Sequence, residues 1–233
     1  MNRILGIYNI LLENFGSQNW WPVTNENSVK PTYEKRDRLT ERQKFEICVG
    51  AILTQNISWK NVEVAIINLN KENLIDIRKI KKIDKKKLAN LIKSSGYYNQ
   101  KAIKLKIFAK YLAENYKGNL KEFLKKSIEK LREELLAIKG VGKETADSII
   151  LYAAEKPIFV IDAYTKRIFN RLGYKEENYE ELQNLFMENL EKDANLFNEY
   201  HALIVELGKK YCKTEPLCDR CPLKELCRHK NEK

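Results

Sequence analysis

The sequence predicts an all-α protein, and three observations carry that. Apolar residues recur at helical spacing through most of the 233 residues. The only extended-looking run, 157–161 (PIFVI), is too short to imply a sheet. A Gly-Val-Gly turn at 140–142 joins two helical stretches, and neither an internal repeat nor a low-complexity linker interrupts the pattern.

Taken in order, the first helix covers 2–15, with Ile4, Leu5, Tyr8, Ile10, Leu11, Leu12 and Phe15 as its apolar positions and Gly16 where a helix can stop. Residues 25–38 are polar and read as a loop. Helical periodicity then runs through about 40–54, 60–69, 86–93, 100–115, 128–138, 143–155, 163–171, 178–190 and 194–210. At the end of 128–138 the apolar residues Leu135, Leu136 and Ile138 lead into Gly140-Val141-Gly142, and the next helix opens near Lys143. This is a helix-hairpin-helix. Two glycines let the backbone turn sharply and approach a partner, and the N–H groups at the start of the following helix suit a DNA phosphate.

The chain carries 43 Lys and Arg against 32 Asp and Glu, a net charge of +11. Such an excess favours polyanions through counterion release, although a Lys-rich surface also arises from a thermophile's composition. Of five cysteines, Cys212, Cys218, Cys221 and Cys227 form a C-x5-C-x2-C-x5-C pattern that points to one metal centre. With no signal peptide and no apolar stretch of membrane-spanning length, the chain reads as intracellular, where thiolate ligation is the better reading than disulfides. Zinc and [4Fe–4S] both accept four thiolates, so spacing leaves both open. Cys48, in an apolar helical stretch, reads as core.

Asp162 stands eighteen residues beyond Glu144, at the end of the apolar run. Joined with the hairpin, with Ala51-Ile-Leu-Thr-Gln55-Asn56, with Gly96-Tyr97-Tyr98-Asn99-Gln100-Lys101-Ala102 and with the four cysteines, it resembles the endonuclease III superfamily of base-excision DNA glycosylases over about 20–227. The resemblance implies a two-domain endonuclease III-like fold. A six-helix barrel would occupy 39–155, with the hairpin at about 128–155. Residues 1–38 and 156–233 would form a discontinuous helical domain whose loop 212–227 holds a [4Fe–4S] cluster. The cysteines depart from the family once, with five residues in the first interval where six are usual. Duplex DNA containing damaged bases is the implied partner. A monomer with no membrane association, cytoplasmic and at the nucleoid, is expected.

Roles follow from the same resemblance. Cleaving an N-glycosidic bond passes through an oxocarbenium-like sugar, and the Asp162 carboxylate would stabilise that charge and orient or deprotonate a water; capping the next helix is compatible with this. Strand-cutting relatives carry a Schiff-base lysine where Glu144 stands. Lys143 is one residue off, about 100° around the helix, so a monofunctional glycosylase is expected. Trp20, Trp21, Pro22 and Trp59, with Ser58, resemble the 3-methyladenine branch, where aromatic faces hold an extruded cationic base. Gln55 would fill the gap the base leaves and Tyr97 would wedge the opposite strand, each with helix capping as the alternative. Gly140, Val141, Gly142 and Lys143 would hold phosphates. Two other readings stay open: an endonuclease III-like glycosylase and lyase acting on oxidised or mismatched pyrimidines, and a non-catalytic iron–sulfur DNA-binding protein. His201 and His229 lack a partner pattern, and His201 reads as core or surface.

Overall fold

A computed structural model describes residues 2–176 and 178–229. The chain divides into two compact units, Trp21–Lys156 and Met1–Trp20 with Pro157–Lys233.

The unit Trp21–Lys156 opens with two short antiparallel strands, β1 (Val23–Thr24) just before the stretch 25–38 expected to be loop and β2 (Pro31–Thr32) inside it. They lie over α2 (Glu41–Leu53), which starts at a reciprocal Thr40/Gln43 cap and is buried on almost every face. A polar bridge fixes this strap. The buried Glu46 carboxylate accepts from Thr24 N (2.7 Å), Thr24 Oγ1 (2.9 Å) and Asn70 Nδ2 (3.1 Å). Burial pushes its pKa up despite those bonds. Residues 21–38 therefore belong with α2, and the division falls at Trp20/Trp21 rather than at 38/39.

Next come α3 (Trp59–Lys71), α4 (Ile77–Lys82), α5 (Lys85–Leu91), α6 (Tyr98–Asn115), α7 (Leu120–Leu124), α8 (Ile128–Ala137) and α9 (Lys143–Ser148). Periodicity missed α4 and α7, which at six and five residues are too short to establish a helical period. The expected helix 143–155 is α-helical only to Ser148 and widens into a π turn at Ile149–Ala153, wholly buried against α2.

The other unit contains α1 (Arg3–Phe15), α10 (Ala163–Arg171), α11 (Tyr179–Asn189) and α12 (Ala194–Lys210). Helix α1 ends at Gly16, as expected. The run 157–161 threads this core as unpaired extended chain. Phe159 stacks on Phe186 with centroids 3.7 Å apart, and its carbonyl accepts from Gln183 Nε2 at 2.6 Å. Tyr200 on α12 donates its hydroxyl to Ile4 O at 2.8 Å, tying α12 to α1. Gly208 permits close approach of α10 and α12, since a Cβ there would lie 2.2 Å from the Tyr164 ring. Among the described residues no helix is long and apolar enough to cross a membrane.

Candidate active site and hairpin

The hairpin is built from α8, the turn 138–142 and α9. Gly140 adopts φ +97°, and a Cβ there would meet Lys104 Cγ at 2.6 Å, so glycine is required on two counts. Gly142 differs from expectation: its backbone is extended at φ −99°, it is the residue before α9, and nothing lies within 4 Å of a Cβ built on it. Arg132 on α8 holds the fully buried Asp147 on α9 through Nε at 2.7 Å and Nη2 at 3.2 Å. That ion pair clamps the two helices together.

Gln55 sits just beyond α2 and does not cap its own helix. Its amide donates to Gly140 O (3.1 Å) and Thr145 Oγ1 (2.9 Å), while its oxygen accepts from Lys104 Nζ. Tyr97 stands at the start of α6 in a left-handed conformation, φ 44°, with no side-chain cap and 74% of its surface exposed. A strut joins the two loops: the buried Lys101 amine donates to Leu53 O (2.8 Å) at the end of α2 and to Ser95 O (2.5 Å) before Tyr97. Burial, with help from Lys104, lowers the Lys101 pKa to about 8. Lys143 and Glu144 are both exposed on the first turn of α9.

The aromatic candidates divide between core and surface. Trp21 meets Trp59 edge to face at 5.2 Å and Tyr152 at 5.1 Å, and both tryptophans are buried, as is Pro22. Trp20 is half-buried beneath the Lys209 ammonium, 5.8 Å from its ring centroid.

Asp162 is the cap of α10. Its Oδ1 accepts from Thr165 N (2.7 Å) and Thr165 Oγ1 (2.9 Å), which fixes the carboxylate's orientation. Its Oδ2 lies 3.7 Å from His201 Nε2. No local pattern signals this approach, because 39 positions separate the two residues and His201 carries no motif. Burial lowers the His201 pKa, Asp162 opposes that shift and Lys209 adds to it.

Cys212, Cys218, Cys221 and Cys227 line one pocket with Arg171, and none is in a disulfide. Arg171 donates to Cys212 Sγ (3.2 Å), Lys213 O (2.6 Å) and Thr214 O (3.0 Å). Burial and the other three thiols push the Cys221 thiol up to about 11. Among the described residues, no three His, Cys, Asp or Glu side chains are gathered as a single metal ion would need.

Residues 49–192 match the HhH-GPD superfamily of base excision DNA repair proteins. The chain belongs to that superfamily. This glycosylase is 50% identical over 228 residues to a protein of Methanocaldococcus jannaschii assigned as a DNA repair glycosylase, a match covering 96% of this chain and 95% of the other. Endonuclease III of Thermotoga maritima is 31% identical over 193 residues, 80% of this chain and 84% of its own. Among solved structures, the H. pylori 3-methyladenine DNA glycosylase bound to 1,N6-ethenoadenine is 29% identical with a TM-score of 0.71, covering 90% of the glycosylase described here and 98% of that chain. The all-α HhH-GPD fold and a DNA glycosylase activity are thereby established.

Proposed function

We propose that this glycosylase hydrolyses the N-glycosidic bond of an alkylated, 3-methyladenine-like base in duplex DNA and leaves the strand uncut. The observation that carries the reading is a contrast between two acids. Asp162 is oriented by two bonds to one oxygen and keeps the other outside the cap. Glu144 is exposed at the place where the resemblance puts a Schiff-base lysine.

In this reading the Asp162 carboxylate faces the sugar and takes a proton from water. The water oxygen bonds to C1′ as the C1′–N bond breaks, and its electron pair leaves with the base. With Glu144 where the resemblance puts the lysine, this reading has no covalent sugar–enzyme adduct and leaves an abasic product strand. Trp21, Pro22 and Trp59 line the base pocket in this reading, and Trp20 joins them by the resemblance; Trp21 and Trp59 are nearly covered. A cationic purine is attracted by the face of such a ring. Gln55 fills the gap the extruded base leaves, and Tyr97 wedges against the opposite strand. Gly140, Val141, Gly142 and Lys143 hold phosphates. The bonds from Gln55 to Gly140 O and Thr145 support a common placement of these loops.

The cysteines fit a [4Fe–4S] cluster. All four thiols border one pocket, and an arginine N–H already points at a sulfur. When bound, the cluster would act as a structural clamp on 212–227.

The similarity to endonuclease III favours a second reading, removal of oxidised pyrimidines. Duplexes holding single 3-methyladenine, 7-methylguanine, thymine glycol, uracil or 8-oxoguanine sites, half of each sample treated with hot alkali, separate the two. Release of the methylated purine, with breaks appearing only after alkali, is expected. Preference for thymine glycol, or breaks without alkali, would overturn the proposal.

A further inference from the structure

We propose that the face formed by α4, α5 and α6 is a second DNA-binding surface that grips the phosphate backbone of undamaged duplex flanking the lesion. Residues 77–110 contain twelve Lys and Arg and a single acid, Asp84, so this segment's net charge of +11 equals that of the entire chain. The other residues balance. Nine of the twelve cations are exposed, and among the described residues only Lys81 and Lys87 of this stretch pair with a carboxylate, those of Glu114 and Glu72.

Local structure does not account for the charge. Lys79, Lys81 and Lys82 close α4, where cations suit the helix dipole, and Lys106 donates to the last carbonyls of that helix. Lys85, Lys86 and Lys87, however, open α5, where the dipole opposes them. Lys81 with Lys85 and Lys106 with Lys110 also set like charges in neighbouring positions. Glu114, Glu72 and the carbonyls that face Lys106 offset part of this repulsion, and a polyanion would relieve the rest.

The shape suits a phosphate track. A groove lined by Lys81, Lys85, Ile103, Lys106, Ile107 and Lys110 runs along α6 on the side opposite its buried Leu105, Phe108 and Leu112. A quarter turn away on the same helix, Lys104 lies against Gly140 and donates to Gln55, so the cationic face continues from the hairpin within one unit. The inference holds whichever base is excised.

The test is the triple variant Lys85→Gln/Lys86→Gln/Lys110→Gln, measured on undamaged duplexes of about 40 and about 12 base pairs over a range of salt. On the long duplex the affinity should fall at least tenfold, and the log–log salt slope should shrink by roughly 2 to 3. On the short duplex, wild type and variant should bind alike, and the single-turnover rate of base release should not change. The thermal midpoint should stay the same or rise, and the corresponding triple Lys→Arg variant should bind long duplex as wild type does. Unchanged affinity and slope on the long duplex would overturn the proposal. So would an equal loss at both lengths, which would place these lysines in the lesion footprint itself.

Discussion

Around Gly140 the irregular backbone is backed by an ion pair to a fully buried carboxylate, whereas from Cys212 to Cys227 it is held by short turn bonds and by arginines from other segments, with little buried apolar surface. The hairpin turn closes with Val141 N on Ile138 O, is fastened from outside by the Gln55 amide, and is clamped by Arg132 on a fully buried Asp147. The cysteine segment holds two three-residue 3-10 turns, neither with a buried residue, and its main apolar anchor is Leu223. Its other restraints are short turn bonds and three arginines: Arg171 reaches two carbonyls and one sulfur, Arg167 donates to Cys212 O (2.9 Å) and Arg3 to Leu226 O (2.9 Å). The hairpin turn is thus backed by buried groups, while the cysteine segment has a single buried side chain, Leu223, among the described residues.

Breaking each region should fail differently. Cys221→Ser should cost most: iron content, measured per chain after anaerobic purification, should fall from about four to near zero with loss of soluble protein. One zinc per chain and no iron in the wild type would contradict the cluster. Arg132→Met leaves a buried carboxylate without its cation and should lower stability by about 3–5 kcal/mol in urea titration. A loss under about 1 kcal/mol would show that the pair does not clamp the hairpin. The glycines sharpen the contrast further. Gly140→Val should lower stability by about 1–3 kcal/mol through strain and the Lys104 clash. Gly142→Ala, with extended backbone and open space, should leave stability nearly unchanged and weaken binding to all duplexes alike if phosphate approaches there.

The smallest effect concerns pH. Burial holds the His201 pKa below its ordinary 6.5, so the unfolded chain takes up this proton more readily than the folded one. That contribution to stability is complete above about 6.5 and falls as pH drops toward the folded pKa. Denaturation of His201→Gln between pH 7.5 and 5 should show a flatter dependence than wild type, and identical slopes would remove the assignment.

The long helices were legible because their apolar faces repeat several times, and the hairpin because its glycines fall between two such faces. Short helices such as α4 and α7 gave no period to read. The stretch 25–38 looked like polar loop, and the strap it belongs to is anchored by a polar group, a buried Glu46 bonded to Thr24 and Asn70. Sequence treated Gly140 and Gly142 as equivalent, but only Gly140 takes up positive φ. His201 near Asp162 and Lys101 between Leu53 and Ser95 depend on contacts among distant segments, which no local pattern encodes.

Borohydride trapping on a duplex with one 3-methyladenine tests the central claim most directly, with wild type and Asp162→Asn run side by side. Wild type should release free base, leave an intact abasic strand and give no protein–DNA adduct. Asp162→Asn should bind the duplex but release base about 10²–10³-fold more slowly. A trapped adduct with wild type would show that a lysine attacks the sugar, and full activity in Asp162→Asn would show that the reaction does not run through that carboxylate.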